Sequence, residues 1–511
     1  MVAACFLLFG FYTLTSPRNH SEANDALGYA LTVEQAPASQ LWHSQHLLYF
    51  PVAKGLYFVA HHLGLAERAF PVLLWFSRLC GVLAVLVVFL LLYQRNLTIL
   101  AALAGALALA FTYGFWRYSN EAEIYAPAML LNLLAWRAVT GMPTWTNVIL
   151  GAVLATLACL MHLLNVVPAL IALPMFYLLE HRRLDALLHL AVVGGLTAVA
   201  YLACFGTGAV QAVLAVGADQ PEGGLCLASF AKGAVALAQN LVAGNFLFAS
   251  EQFQHALQEL FPYRALARQI FTGQHADALS RTAPYVTLAL LALAGLVLLV
   301  QRSRVRSSGL DTAFRGALRL WLGLHVLIVL LTEPGGPENW VMGLPPLVLL
   351  VVMAVFVPLA AAGRTVLPLV CVALLALHNY FGAFRLLADE RGDLAACKSA
   401  WLVQHARPGD LILNADTFEV ARHLAYYSRA EVTHLIYAVT PANEEEFLAG
   451  LARRSGRVWA TADVFALPAS LQRRFPQRAD FLAALGRKLA PRFTPAATNE
   501  FGVIFALQPP R

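Results

Sequence analysis

The sequence predicts a polytopic α-helical membrane protein with about eleven transmembrane helices, followed by a small extracytoplasmic α/β domain. Composition is the first observation behind this fold class. Of 511 residues, 59% are hydrophobic and only 13% are charged, whereas soluble domains carry about 25% charged residues. Apolar segments of membrane-spanning length recur as far as residue 384, and short apolar stretches alternate with amphipathic ones after Arg385.

The predicted transmembrane helices are apolar segments close to the 20 or so helical residues that cross a bilayer core. The first is short, since 15 helical residues cover only about 22 Å. We expect that its start lies upstream or that the helix is incomplete. A cleaved signal peptide is the alternative, but this segment has no basic n-region, so we favour an anchor. The segments lie near residues 1–15, 71–93, 97–115, 126–140, 145–163, 166–180, 187–205, 284–301, 316–332, 340–360 and 365–384.

Basic residues in the short loops predict the orientation, because Lys and Arg stay on the cytoplasmic side. A cytoplasmic N-terminus puts ten arginines on that side, and the short loops opposite hold only Arg117. The loops 16–70, 116–125, 206–283 and 333–339 are then extracytoplasmic, as is the rest of the chain after the last span. The ten are Arg95, Arg137, Arg182, Arg183, Arg302, Arg304, Arg306, Arg315, Arg319 and Arg364.

We divide the chain into a transmembrane region at 1–388 and an α/β domain at 389–511. In the second part, LILN, THLIY, VWAT and FGVIFAL at 411–414, 433–437, 458–461 and 501–507 are typical of buried strands. Helical patterns lie between them, and this alternation favours a parallel sheet. The long loop 206–283 has helical periodicity with polar residues on one face, which indicates interfacial helices.

The charge and cysteine patterns exclude some functions. The net charge of +6 lies mostly beside the spans, so it is not a nucleic-acid signal. The seven cysteines are scattered without a CxxC or another metal-ligand spacing. Cys204 and Cys226 fall on the same predicted side of the membrane. They could form a disulfide, or each could be a packing residue.

The stretch from Ser16 to Tyr57 concentrates titratable groups in the first outer loop. Within it, Tyr29 follows Asp25 by four residues, which places both on one helical face. Asp25 is either a functional carboxylate or a helix N-cap, a position that Asp favours. Glu121 and Glu123, in the second outer loop, belong to the same side of the membrane. We therefore expect an outward-facing cavity shared by Asp25 and Glu123.

These motifs resemble the GT-C superfamily of integral-membrane glycosyltransferases, in particular its protein O-mannosyltransferase and aminoarabinose transferase branch. The D-x-x-x-Y motif of that branch matches Asp25 to Tyr29, and the His- and Lys-bearing segment after it matches HSQHLLYFPVAKGLY. A bacterial subgroup has an aromatic second outer loop that ends in E-[VI]-Y, here residues 123–125. It also has a His and a Pro in a later pair of helices, here His162 and Pro168. Many relatives have Asp-Glu where this chain has Asp25-Ala26, which puts a metal in doubt.

The resemblance implies a polyprenyl-phosphate-linked sugar donor and an extracytoplasmic acceptor hydroxyl on a protein, a glycolipid or a polysaccharide. It implies a single inverting displacement in the cell envelope, by its subgroup a bacterial inner membrane. Asp25 would be the general base, and Glu123 would orient the acceptor or bind a metal. Lys54 would hold the departing phosphate, or else be an interfacial lysine. The cofactor prediction is none or a divalent metal; any metal would use Asp25, Glu123 or His46.

Other polar residues are candidates for substrate binding, each with a structural alternative. His43 and His46 could bind phosphate or metal, or be solvated side chains. Arg78 lies inside a span, where a charge is a functional hypothesis but can also reach the headgroups. Glu338 lies in TEPGGPENW, which also predicts a tight turn. The complete set of donor- or substrate-binding candidates is Tyr29, Lys54, His43, His46, Glu121, Tyr125, His162, Arg78 and Glu338.

Two other functions are compatible with many apolar helices. A transporter or flippase would show internal repeats and broken helices in matching positions. We find no repeat between the halves, and the polar residues lie in outer loops. A non-catalytic assembly protein would use the C-terminal domain, in which the sequence indicates no specific site.

Overall fold

A computed structural model describes residues 2–21, 23, 25–95, 97–209, 211, 224–260, 267–305 and 311–508. Arg306 and parts of the loop 206–283 lie outside the described residues. The chain divides into two compact units. The first contains residues 1–17, 32–246 and 277–385, and the second contains residues 18–31, 247–276 and 386–511.

The first unit is helical, and the described residues of each predicted span lie mainly in helix. Each span is rich in Leu, Val and Ala, and a helix bonds its backbone groups internally, as a bilayer requires. Its α-helices are Val2–Leu14, Tyr49–His62, Ala69–Gln94, Ile99–Ala110, Tyr113–Ser119, Tyr125–Val139, Trp145–Met161, Leu173–Leu179, Arg183–Phe205, Leu227–Leu241, Ala278–Ser303, Thr312–Thr332, Pro337–Val341, Leu344–Val351, Val357–Ala361 and Val366–Asn379.

Membrane-spanning length is reached by six helical stretches among the described residues, or by seven if one bent pair forms a single span. The bent pair is Ile99–Ala110 with Tyr113–Ser119, and its two helices meet at 70°. Three shorter apolar helices, Ala3–Leu14, Trp145–Met161 and Leu163–Leu179, fall below that length. The chain is therefore an integral membrane protein with several spans, and the count of eleven stays a prediction.

The long loop 206–283 contains the helices predicted for it. They are Leu227–Leu241 in the first unit, and Glu251–Leu260 and Ala267–Gln274 in the second. Their location at a membrane surface stays a prediction. Cys204 and Cys226 have free thiols, so the disulfide considered from the sequence is not formed.

A five-stranded sheet with the order β2-β1-β3-β5-β4 organises the second unit. The predicted strands at 411–414 and 458–461 are present. The predicted strand at 433–437 is wrong in its bounds, because β2 ends at His434 and a helix follows. The parallel sheet is also only partly right: β1 is parallel to β2 and β3, whereas β5 is antiparallel to β3 and β4. The strands are β1 (Leu411–Asn414), β2 (Glu431–His434), β3 (Val458–Thr461), β4 (Phe493–Asn499) and β5 (Gly502–Leu507).

Both faces of this sheet are covered by helices. Leu411 and Leu413 belong to one buried cluster, and Ile412 between them belongs to another, as expected when successive side chains point to opposite faces. The first cluster includes Leu451 and Leu485, and the second includes Leu402 and Leu424, so the layers are helix, sheet and helix. The second unit's α-helices include Leu394–His405, Phe418–Tyr427, Leu435–Ala438, Glu444–Ala452, Ala469–Arg474 and Pro476–Leu489.

Candidate functional site

Asp25 lies at the start of the helix Ala26–Gln35, and its carboxylate is held by two other side chains. Its backbone carbonyl accepts a hydrogen bond from the Tyr29 amide at 2.8 Å, so it stands at the N-cap position. The Tyr29 hydroxyl donates to Asp25 Oδ2 at 3.3 Å. Arg422, from the helix Phe418–Tyr427, donates to Asp25 Oδ1 and forms an ion pair with it. The position is that of a helix cap, but the carboxylate contacts Tyr29 and Arg422.

Gly28 explains how Arg422 comes close to the start of this helix. A Cβ atom built at Gly28 would lie 2.8 Å from Arg422 Nε, so a larger residue would displace the guanidinium. On its other side, the guanidinium carbon of Arg422 lies 4.3 Å from the centre of the Phe418 ring, a cation–π contact. The guanidinium is therefore fixed from several directions, while the Asp25 side chain remains 47% exposed and can be reached from solvent.

A second ion pair, made by Arg268 of the helix Ala267–Gln274, links the helix Phe418–Tyr427 to the segment that holds Asp25. Arg268 binds Glu419 at 2.9 Å and donates to the backbone carbonyl of Ser21. Glu419 and Arg422 lie one turn apart on one helix, and both contact partners just outside it. The segment that holds Asp25 is therefore fixed by contacts from two arginines, Arg422 and Arg268. The sequence prediction missed Arg422, since NADTFEVARHL indicated only a helix start.

In the first unit, the candidate residues form a row of aromatic rings. The His43 and His46 rings stack with centroids 5.0 Å apart and an interplanar angle of 8°. The His46 ring lies 5.0 Å from that of His162, and the His162 ring lies 5.3 Å from that of Tyr125. Tyr125 contacts Tyr118 at 5.3 Å. Four predicted site residues from three segments are thus brought together.

Backbone bonds and a helix break bring this row together. His162 has extended dihedrals (φ −154°, ψ 122°) and ends the helix Trp145–Met161. At this break, the Leu163 amide donates to the Gln45 carbonyl at 3.0 Å, and the Leu48 amide donates to the Leu160 carbonyl at 2.8 Å. The first outer loop is therefore pinned beside the broken helix, which places His46 against His162.

Burial determines the charge of His46. Burial lowers the pKa of this imidazole well below its ordinary value, and the neighbouring His162 and His43 lower it further. His46 is therefore neutral near pH 7, with a ring that can donate or accept a hydrogen bond, and its predicted binding of phosphate or metal stays a prediction. His43 is exposed.

The carboxylates of the second outer loop are buried and have different neighbours. Glu121 forms an ion pair with Arg117 at 2.8 Å, with exposed fractions of 0% and 2%. Glu123 interacts electrostatically with the hydroxyls of Tyr49 and Tyr118. Glu338 lies 3.5 Å from the Tyr118 hydroxyl. Glu123 and Glu338 thus approach the same tyrosine, at the end of the aromatic row.

Lys54 contacts backbone carbonyls. Its ammonium donates to the carbonyls of Val33 and Ala36 at 3.0 and 2.7 Å, at the C-terminus of the helix Ala26–Gln35, where a cation is favoured. A phosphate would have to compete with these two carbonyls for the ammonium, and the predicted phosphate contact of Lys54 stays a prediction.

Arg78 is buried and bonded to three side chains. It donates to Asn120 at 2.9 Å, to Ser16 at 2.8 Å and to Thr13 at 3.2 Å. This arrangement satisfies a charge inside a span and joins the end of the first helix to the second outer loop. These bonds give Arg78 a structural role, and its predicted part in substrate binding stays a prediction.

Two expectations about the site stay predictions: the cavity shared by Asp25 and Glu123, and the possible metal. Asp25 belongs to the second unit and Glu123 to the first. Within the part of the chain that the structure describes, no three His, Cys, Asp or Glu side chains are grouped so that they could hold a metal ion.

The fold resembles that of known membrane glycosyltransferases. ArnT from Cupriavidus metallidurans in the apo state aligns with a TM-score of 0.51 and 13% identity, over 99% of this chain and 96% of that chain. ArnT bound to undecaprenyl phosphate aligns with a TM-score of 0.54 and 13% identity, over 99% and 97%. The chain therefore shares its overall fold with ArnT.

A sequence family agrees with the fold. Residues 54–185 match the protein O-mannosyl-transferase TMEM260 N-terminal domain. This match contains Lys54, Arg78, Glu123 and His162 but begins after Asp25. The resemblance inferred from the motifs is thus confirmed, and fold and family together support a membrane glycosyltransferase. A search of curated proteins found no match.

Asp463 is a buried carboxyl group in the second unit that the sequence did not single out. It follows β3, and burial together with Asp416 raises its pKa to about 6, partly offset by Lys398. Its ordinary pKa is 3.8, so the folded state holds the proton more tightly than the unfolded state does. Its contribution to stability is full below about pH 4 and is lost as the pH rises through 6.

We therefore expect Asp463→Asn to reduce the pH dependence of unfolding. Two pKa units correspond to about 3 kcal/mol. This is the largest loss of unfolding free energy that Asp463 can cause in wild type between pH 4 and 7. The variant should unfold at a higher temperature than wild type at pH 7.5, with the difference shrinking by pH 4. Tryptophan fluorescence during heating of the purified chain measures this. Parallel wild-type and variant curves would contradict it.

Proposed function

We propose that this protein is an integral-membrane glycosyltransferase that moves a sugar from a polyprenyl-phosphate-linked donor to an extracytoplasmic acceptor hydroxyl. The observation that carries the proposal is the Asp25 carboxylate, which is partly exposed and held by Tyr29 and Arg422. The fold shared with ArnT, which has been solved with undecaprenyl phosphate, supports a lipid phosphate donor. The name of the matched family, a protein O-mannosyl-transferase, supports transfer to a hydroxyl group.

The proposed reaction is a single displacement that inverts the anomeric carbon. The acceptor oxygen forms a bond to this carbon while the bond from the carbon to the phosphate oxygen breaks. Asp25 takes the proton that the acceptor hydroxyl loses, and the lipid phosphate leaves with the bonding electrons. In the first unit, Glu123 and the ring row from His46 to Tyr125 orient the substrate.

Arg422 is proposed to position the base. It occupies Asp25 Oδ1 and leaves Oδ2, at the long 3.3 Å contact with Tyr29, as the oxygen that receives the proton. The Arg422 guanidinium donates in a fixed fork. A lysine at this position would reproduce its charge but not its geometry.

Replacing Arg422 with alanine should lower kcat about 100-fold, since small misplacements of a catalytic group have effects of that size. KM for the donor should change little, and Arg422→Lys should recover part of kcat. Steady-state transfer with a synthetic polyprenyl-phosphate sugar measures both constants. Arg407→Ala, at an exposed site on the same unit, is the matched control. An unchanged kcat in Arg422→Ala would contradict the positioning role.

The proposed orientation has a cytoplasmic N-terminus and the α/β part outside, in a bacterial inner membrane. Reporter fusions after the spans test the orientation directly. The donor and acceptor classes are tested by mass spectrometry of lipids, glycans and glycoproteins from cells with and without the protein. The expected result is one sugar missing from one acceptor class when the protein is absent. Identical profiles in cells shown to contain the donor would contradict a transferase.

A further inference from the structure

A cavity of about 270 Å³ lies at one edge of the sheet in the second unit. Its wall includes Ala415 after β1, Leu435 after β2 and Asp463 after β3. These three strands are parallel, so the cavity lies at their shared carboxyl edge. In open α/β sheets, this edge is where ligands bind.

Three polar side chains line the cavity, and the other side chains in its wall are apolar. Asp463, Asp480 and Gln472 line it together with the Phe465 ring and small alanine side chains. The Gln472 carboxamide is fixed, because its nitrogen donates to the Leu467 carbonyl at 2.6 Å. Polar groups placed beside apolar side chains are typical of a small-molecule site.

Two neighbouring side chains act on the Asp463 carboxyl: the Thr461 hydroxyl, which is hydrogen-bonded to it, and the Lys398 ammonium. Lys398 forms an ion pair with Asp416 at 2.5 Å, and the backbone carbonyl of Asp416 is bonded to His434 Nε2 at 2.8 Å. The Lys398 ammonium is therefore shared between Asp416 and Asp463. With its pKa raised to about 6, Asp463 accepts hydrogen bonds from a ligand near pH 7 and can also donate one below pH 6.

We propose that this cavity binds one neutral sugar ring, through its hydroxyl groups to Asp463 and Asp480 and through its apolar face to Phe465. The volume is just below the roughly 300–1,000 Å³ of drug-sized pockets, which fits a single ring. The two carboxyl groups disfavour an anion. The Lys398 ammonium, which acts electrostatically on Asp463, disfavours a cation. The choice of a sugar among hydroxylated rings rests on the proposed function, with the ring belonging to a glycan acceptor.

The test uses the full chain in detergent and saturation-transfer NMR with methyl mannoside, methyl glucoside, methyl glucosaminide and methyl glucuronide. The neutral glycosides should receive saturation, and the other two should receive less. Ala483→Phe fills the cavity and should abolish the signal. Asp463→Ala should weaken binding about tenfold through one lost hydrogen bond, and it serves if Ala483→Phe does not fold. Glu445→Gln, on an exposed part of the helix Glu444–Ala452, should behave as wild type.

Two results would overturn the inference: equal signals in wild type and the folded cavity variants, or a preference for the charged glycosides. Asp25→Asn separates this site from the proposed reaction. It should keep sugar binding while losing transfer. If the cavity variants lose sugar binding and Asp25→Asn keeps full transfer, the cavity stands and the proposed reaction fails.

Discussion

Asp25→Asn is expected to fold normally and to lose transfer activity by about 10² to 10⁴-fold, the usual contribution of a general base. Asparagine has nearly the shape of aspartate but cannot take a proton. It can still contact Arg422 and Tyr29, so the local structure should survive. Initial rates with a synthetic polyprenyl-phosphate sugar and the acceptor identified in cells measure the effect.

Asp389→Asn is the control for this experiment. Asp389 lies in the same unit and pairs with the exposed Arg391 at 2.7 Å, so the same chemical change is made away from the proposed base. Its rate should equal that of wild type. If Asp25→Asn has the wild-type rate and the same thermal unfolding curve, Asp25 is not the base.

Glu121→Ala should destabilise the protein by about 3–5 kcal/mol, since it leaves the buried Arg117 guanidinium without its carboxylate. The sequence left Glu121 open between substrate binding and structure, and the two roles predict different results. A structural glutamate should give protein that aggregates at lower temperature. A glutamate needed only for substrate should give a stable protein with a low rate. Fluorescence-detected size exclusion after heating distinguishes them.

A paired replacement completes this test. Arg117→Met with Glu121→Leu removes both charges, and apolar replacement of a buried ion pair is often neutral or stabilising, so thermal stability should return toward wild type. Glu444→Ala removes one partner of a pair whose lysine, Lys488, is 58% exposed, and it should have little effect. Equal losses in Glu121→Ala and Glu444→Ala would contradict a structural ion pair.

The helices of the first unit were predictable because hydropathy alone specifies them. The ends of these helices were less predictable. The sequence predicted one span at 97–115, but Tyr113–Ser119 turns by 70° from the helix before it. The members of the aromatic row were also predictable from motifs. Their order was not, because it depends on the break at His162 and on backbone bonds between distant segments.

The second unit shows where pattern reasoning fails. Strand β4 was missed because it contains Pro495, and a proline inside a run argues against a strand; β4 is an edge strand, where proline is tolerated. The mixed sheet was missed because the alternation of strands and helices does not predict that β5 pairs antiparallel. The contact of Arg422 with Asp25 joins residues 397 positions apart, and no local pattern predicts it.

The separation of Asp25 and Arg422 along the chain has a consequence for biosynthesis. Translation proceeds at about 5–20 residues per second, so the carboxylate leaves the ribosome roughly 20–80 s before its guanidinium partner. During that interval the early helices can insert into the membrane, but the proposed base has not yet been positioned by Arg422. On the proposed mechanism, a chain released before Arg422 is made would occupy the membrane without transferring sugar, and activity would begin only after the helix Phe418–Tyr427 has formed.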